Sequence, residues 1–407
     1  MNDMDFPRLL YIGDVPVEST LAGSALLYRL LMTWPADRVR IIEPTMAASS
    51  PQRRLAGVDY LPMRFGIARL LTTRFGRWYA GHLFHAAQRK GADAVRIAGA
   101  PMHGIDAVLT VAHGHTWATA ADVARRLGVP LHLIVHDDAI MSARVSRRIA
   151  REMMKQFAEV YRSAQSRLCI SPCMAQEYEK RFGAAGDVLY PGRAAGVNGF
   201  DAPPQRLTET NHPLTYGYAG SLHTPSYVQS LASLSRIAER RGDRLLIFSN
   251  MSLEGATRAG LIGAHVDLQP IVPFQRLVEI LRERVDVLFV PMSFNPAERL
   301  SAEISFPSKL TDYTMVGLPL LIQGPDYCSA VRWARANPGV AAVVEENSST
   351  AIEAAMLELS DPHRRLELAR NAIRVGEEYF SHEAVFGKFV SKVCPNSSSH
   401  RGMKHAQ

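Results

Sequence analysis

Cysteine is scarce in this chain of 407 residues: Cys169, Cys173, Cys328 and Cys394 are too few and too scattered for a disulfide framework. Cys169 and Cys173 stand four apart with no neighbouring His or Cys pair to complete a zinc site, so all four read as buried cytosolic thiols. Long apolar runs are missing too, and no stretch approaches the ~20 residues needed to span a bilayer. The N-terminus, Met1-Asn-Asp-Met-Asp5, is acidic and runs straight into a strand pattern, which is not how a secretory signal begins. A soluble, cytoplasmic protein is expected. The chain carries a formal charge of +7 but has no recognition-helix motif, zinc spacing or aromatic-rich strand pair. Nucleic acid is therefore excluded as a partner, leaving an anionic membrane surface or an anionic substrate. No Ser-His-Asp triad, Asp-x-Asp motif or Walker loop is present either.

What is present is ordinary globular composition, 47% apolar and 21% charged, at a length that suits two domains better than one core. Apolar runs bounded by turn signals alternate with helical periods, the pattern of β-α units with parallel strands. In the first half the strands are predicted at Leu9–Ile12, Val39–Ile42, Ala107–Val111, Leu131–Val135, Leu168–Ser171 and Asp187–Tyr190. A Gly- and Pro-rich stretch without sustained period then marks a linker. The second set is predicted at Tyr216–Ala219, Leu245–Phe248, His265–Leu268, Val285–Val290, Leu318–Ile322 and Ala341–Val344. The expected division is an N-terminal domain over 1–192, a linker over 193–213 and a second domain over 214–375. A C-terminal helix over 376–393 is expected to return to the first domain, and 394–407 to form a disordered tail.

The most informative segment runs from Asp286 to Pro325. A buried strand ends in a polar loop, a helix is entered through Pro307 and Ser308 and closed by Gly317, and another buried strand follows at once. A loop after a strand that opens onto a helix N-terminus is where an open α/β sheet holds phosphate. Lys309, in the first turn, adds a positive charge. Gly220 ends a strand and lets backbone approach a ligand closely. In the first half, His136 closes an apolar strand and is followed by Asp137 and Asp138. Each of these has a plain structural reading as well: Ser308 as an N-cap, Lys309 as a solvated charge, His136 as a core histidine.

The order of these features resembles the GT-B glycosyltransferases, and more narrowly the retaining GT4-type family that uses sugar nucleotides. The resemblance is carried by Tyr11-Ile-Gly-Asp14 with Leu21-Ala-Gly-Ser24, Leu133-Ile-Val-His-Asp137, Cys169 to Gly183, and Leu189-Tyr-Pro-Gly192. In the second half it is carried by Tyr216-Gly-Tyr-Ala-Gly-Ser-Leu222 and, most specifically, Pro307-Ser-Lys-Leu-Thr-Asp-Tyr313 with Gly317-Leu-Pro319; together these cover most of residues 7 to 390. It implies an α/β fold of two Rossmann-like β/α/β domains facing each other across a cleft, with the nucleotide sugar held by the second.

By that resemblance Lys309 is the main cation on the leaving diphosphate, with Gly220, Ser221, Pro307 and Ser308 around it, and His136 is the cleft histidine. Gly13, Gly23, Asp137 and Asp138 fall on the acceptor side. Asp312 stands where a ribose-binding glutamate is usual, and Ile304 where its partner would be. Glu298 or Glu303 could supply a carboxylate to the sugar. The Arg and Lys that often follow the Gly220 position are replaced by Ser221-Leu-His-Thr224. The implied chemistry is front-face displacement without a metal ion, with no cofactor beyond the nucleotide sugar as co-substrate and a glycan, lipid-linked or small molecule as acceptor. Two other readings share the fold: a non-hydrolysing sugar-nucleotide epimerase, and an inactive binding scaffold.

A strongly amphipathic helix is predicted over Met141–Ser166, with Arg144, Arg148, Arg151, Lys155 and Arg162 on one stripe and Ile149, Met153, Phe157 and Val160 opposite. Its basic stripe is either a solvated face or a contact to anionic lipid or a phosphorylated acceptor, so peripheral contact with the inner membrane face is a further expectation. Arg64, Arg69, Arg74 and Arg77 with Phe65, Phe75 and Trp78 mark a segment without a single stripe.

Overall fold

The computed structural model describes residues 6–19, 22–100, 103–138, 145–210, 212–222 and 224–394. The start of the predicted basic helix, including Arg144, lies outside these, as do His223 and the tail over 395–407. The chain divides into two compact units, one formed by residues 1–196 together with 382–407 and the other by 197–381.

The first unit is built on seven parallel strands: β1 Leu9–Ile12, β2 Val39–Pro44, β3 Asp59–Met63, β4 Ala107–Val111, β5 Leu131–Val135, β6 Ser166–Cys169 and β7 Asp187–Val188, in the order β3-β2-β1-β4-β5-β6-β7. In register, Leu9 faces Val39 on one side and Ala107 on the other. β1, β4 and β5 are buried along their whole length, because helices cover both faces of a parallel sheet and every side chain meets a core. Over one face Trp34 packs edge-on to Phe6 at 4.8 Å and to Phe389 of the terminal helix His382–Val393 at 5.7 Å. Over the other, Phe157 meets Trp117 at 5.3 Å and Phe182 at 5.4 Å. The helix Arg147–Ser163 starts later than predicted, where the Ser146 hydroxyl accepts from the Ile149 N–H. Its Met153 and Phe157 are buried and its Arg148, Arg151, Lys155 and Arg162 exposed.

The second unit carries six parallel strands: β8 Thr215–Ala219, β9 Arg244–Phe248, β10 Val266–Gln269, β11 Val287–Pro291, β12 Leu320–Gln323 and β13 Ala342–Val344, in the order β10-β9-β8-β11-β12-β13. Tyr216, Tyr218, Leu231, Leu234, Phe289 and Leu321 form much of one core layer. Phe380 packs against Phe306 and Trp333, at 5.7 Å each, on a second layer.

Three further features differ from expectation. β3 was not predicted, since Asp59-Tyr-Leu-Pro-Met63 contains a proline and only one fully buried residue; as an edge strand it tolerates Pro62. Much of the segment expected as a linker belongs to the second unit. The buried Arg365 donates to the carbonyls of Leu207 and Glu209, and Arg206 pairs with the buried Asp286 at 2.8 Å, so polar anchors rather than an apolar period fix its course. The chain re-enters the first unit at His382, not at 376, because the helix Pro362–Phe380 ends by burying Phe380 in the second unit.

Candidate functional site

In the first sheet the chain adds β2 and β3 on one side of β1 and then β4 to β7 on the other, and in the second it adds β9 and β10 on one side of β8 and then β11 to β13 on the other, so the strand order reverses beside β1 and β8. Open α/β sheets bind ligands at this switch point, beyond the carboxyl ends of the strands. The relevant loops are those after β8 and β11 in the second unit, and after β1, β4 and β5 in the first.

In the second unit, β8 ends at Ala219 and Gly220 takes φ +142°, a conformation that side-chain-bearing residues rarely adopt. The loop is fixed from beneath: the Tyr313 hydroxyl accepts from the Ala219 N–H at 2.8 Å, and the Tyr218 hydroxyl donates to the Ser221 carbonyl at 2.8 Å. Into this corner reaches Lys309, the first residue of the helix Lys309–Val316. A Cβ built on Gly220 would lie 2.6 Å from its Nζ. The ammonium sits 5.0 Å from the Tyr218 ring centroid and has no ion pair or hydrogen bond among the described residues. Burial pushes its pKa down to about 8, with Asp312 opposing. An ammonium beside a glycine corner, without an ion pair or hydrogen bond among the described residues, is open to an anionic ligand.

Ser308 departs from the N-cap reading: its backbone is helical, its hydroxyl makes no capping bond, and it is exposed. Ser221 is exposed as well. Pro307 lines a cavity of about 350 Å³ with Thr224, Tyr227, Ser293, Glu298 and Ser305. Two of the lining residues are linked through Ser226: the Ser293 hydroxyl donates to it at 2.9 Å, and it donates to Glu298 at 3.5 Å. Of the two glutamates that spacing could not separate, Glu298 lines this cavity. Glu303 turns to Arg332 at 3.9 Å and is not among the lining residues.

In the first unit, His136 follows β5 and is buried, its Nε2 3.5 Å from the exposed Asp137. Burial lowers its pKa most, with Asp137 opposing and His113 adding to the fall, so the ring is neutral at pH 7. Gly23 leaves room for it: a Cβ there would lie 3.2 Å from His136 Cε1. Gly13 is needed for packing, since a Cβ would overlap the Tyr11 hydroxyl, which donates to the Val15 carbonyl at 2.6 Å. Asp138 does not stand open to a ligand. It accepts from Tyr178 at 2.9 Å and pairs with Arg181 at 3.0 Å, which binds the end of β5 to the helix Pro172–Phe182.

Sequence reasoning missed three neighbours. His113 and His115 follow β4, and the His113 ring lies 6.0 Å from that of His136. Asp14, after β1, accepts from the N–H groups of His115 and Thr116 at 2.6 and 2.7 Å and so caps the helix Thr116–Leu127. The available signal was the run Thr110-Val-Ala-His-Gly-His115, two imidazoles directly after a buried strand. His113, His136 and Asp137 bring ligating atoms within 4.8 Å of one another and form a set that could hold a metal ion. Ligating histidines usually donate their second N–H to an acceptor, whereas Nδ1 of both His113 and His136 is buried without a partner.

Two Rossmann-like sheets in one chain, each with helices on both faces, define the GT-B class of fold. No family model matches the chain, and no curated protein matches it in sequence. Solved structures do match. HepE of Anabaena, in complex with UDP and glucose, aligns at TM-score 0.65 and 13% identity over 95% of this chain and 99% of its own. Sucrose-phosphate synthase of Thermosynechococcus elongatus aligns at 0.64 and 12% identity over 94% and 97%. The trehalose-6-phosphate synthase OtsA aligns at 0.62 and 11% identity over 95% and 98%. At these identities the likeness is one of fold, and it runs through both units. No helix among the described residues is long and apolar enough to cross a membrane.

Proposed function

We propose that this chain is a glycosyltransferase that takes a nucleotide sugar as donor and acts with retention and without a metal ion, resembling the GT4 type. The observation that carries the reading is the Lys309 ammonium, partly buried and without an ion pair, held against Gly220 at the switch point of the second sheet. The likeness in fold to a protein solved with UDP and glucose supports the donor class.

In this reading the diphosphate lies against Gly220, with Lys309 neutralising charge as the glycosidic bond breaks. Ser308 and Ser221 donate to phosphate oxygens, Asp312 serves the ribose hydroxyls, and Glu298 rather than Glu303 faces the sugar. The acceptor hydroxyl attacks the anomeric carbon from the face that the phosphate leaves, and its proton passes to the departing phosphate oxygen. His136 serves the sugar as a neutral hydrogen-bonding group, with Gly13, Gly23 and Asp137 on the acceptor side. The acceptor class is a glycan, a lipid-linked sugar or a small molecule.

Thermal-shift measurement with UDP-, GDP- and dTDP-sugars tests this, followed by NMR of the product anomer. A melting shift with one nucleotide series and transfer with retained configuration are expected. No shift with any nucleotide would leave the scaffold reading, and epimerisation of the donor sugar without an acceptor would replace transfer by the epimerase.

The depressed Lys309 pKa gives a pH signature. Bound diphosphate favours the ammonium, so donor affinity is full below about pH 8 and falls by up to about tenfold per pH unit above it. The protein without donor behaves oppositely: the folded pKa lies below 10.5, the unfolded chain holds its proton longer, and stability rises from about pH 8 to 10.5. Titration calorimetry against pH reads the first effect, and a flat profile between pH 7 and 9 would remove Lys309 from the anion site.

A further inference from the structure

In the first unit a short helix Ala68–Leu71 and the start of the helix Gly76–Gln88 leave large apolar side chains in solvent: Ile67 is 49% exposed, Phe75 60% and Trp78 74%. Single exposed apolar residues need no explanation, but here Leu70, Thr73, Phe75, Trp78 and Tyr79 line one open hollow of about 590 Å³. The Tyr79 hydroxyl accepts from the Ile67 N–H at 2.7 Å, so the two ends of this stretch are fastened together and its apolar side chains stay outward.

The charge around the hollow has one sign. Arg64, Arg69, Arg74 and Arg77 are all exposed, and no Asp or Glu occurs between residues 64 and 90. The helix Arg147–Ser163 adds to them. Arg77 donates to the Val145 carbonyl at 3.3 Å, a Cβ on Gly81 would lie 3.3 Å from Ile149, and His85 lies 3.6 Å from Glu152. The two helices therefore run side by side in the same direction, and the amino end of the second, with exposed Arg147, Arg148 and Arg151, comes level with Phe75 and Trp78. None of these seven arginines has a carboxylate partner among the described residues.

We propose that this edge of the first unit docks on the surface of an anionic lipid bilayer, with Phe75 and Trp78 entering the headgroup boundary and the arginines meeting lipid phosphates. Aromatic side chains with an apolar body suit that boundary, and arginine stems can lie along it while their heads reach phosphate. A soluble polyanion would explain the arginines but not the exposed rings. The proposal does not depend on the donor chemistry of the second unit.

Sedimentation of the full chain with vesicles tests it. Binding is expected to phosphatidylcholine vesicles containing about a third phosphatidylglycerol, with little to phosphatidylcholine alone. The Phe75→Ser/Trp78→Ser variant lowers the partition coefficient at least about tenfold. Arg148→Glu with Arg151→Glu lowers it comparably and flattens its salt dependence, at about fivefold per charge near the surface. All four side chains are exposed, so both variants keep the wild-type melting temperature. Tryptophan emission shifts to the blue on the anionic vesicles, and Trp78→Phe removes the shift. Equal binding to neutral vesicles would overturn the proposal. So would unchanged binding of the aromatic variant, or complete competition by heparin with no emission shift, which would assign the face to a soluble polyanion.

Discussion

Lys309→Ala lowers kcat/KM for the nucleotide-sugar donor by about 10²- to 10³-fold, the usual loss when one preorganised group facing developing charge is removed. The magnitude follows from the surroundings. The ammonium is shielded by the Tyr218 ring and by the Gly220 corner, so its interaction with a phosphate is screened less than that of a surface lysine. The positions after Gly220 that the resemblance gives to Arg and Lys are Ser221-Leu-His-Thr224 here, so that run supplies neither. The stability of the protein without donor moves the other way. Burial already depresses the Lys309 pKa, a sign that the fold bears a cost for the charge, so Lys309→Met leaves the melting temperature unchanged or raises it. A melting curve and a donor titration on the same variant separate the two effects. Undiminished affinity in a well-folded Lys309→Ala protein refutes the diphosphate role.

Much of this site could be read from the sequence because it depends on short-range signals. The run Pro307-Ser-Lys followed by Gly317 sets a helix start and a left-handed stop in one stretch, and the helix Lys309–Val316 does end at Gly317, with φ +76°. The strands with the longest apolar runs, β1, β4 and β5, have the predicted bounds, since burial on both faces leaves a continuous hydrophobic stretch in the chain. What escaped depends on partners distant in sequence. Asp138 looked like a free acceptor-side acid until Tyr178 and Arg181, some forty residues on, were placed around it. Glu298 and Glu303 have similar local sequence, and only the position of Arg332 and of the Ser226–Ser293 pair distinguishes them. Arg365 gave no signal at all, because the carbonyls of Leu207 and Glu209 that it satisfies stand 158 and 156 residues away in the chain.

Gly220→Ala tests whether that corner is shaped for the ammonium. At φ +142° an alanine is strained by about 1 to 3 kcal/mol, which lowers stability whatever the ligand. The new Cβ would also stand 2.6 Å from Lys309 Nζ and 2.7 Å from Cε. Because these atoms are the far end of a flexible side chain, the lysine yields rather than the backbone, and the charge leaves its place. Donor affinity then falls at least about tenfold in addition to the loss of stability, the size of a displaced charge-assisted hydrogen bond. Gly317→Ala is the control. It carries comparable backbone strain at φ +76° but sits at the opposite end of the same helix, where a Cβ would meet Arg282 and Ile373, so it lowers stability and spares affinity. The pairing with Lys309→Ala decides the cause. Without the ammonium the added methyl has nothing to displace, and Gly220→Ala then costs stability with no further fall in affinity, a coupling of the kind contacting residues show. If Gly220→Ala weakens donor binding equally with and without Lys309, the glycine serves only to let the protein backbone approach the ligand, and the two residues act independently.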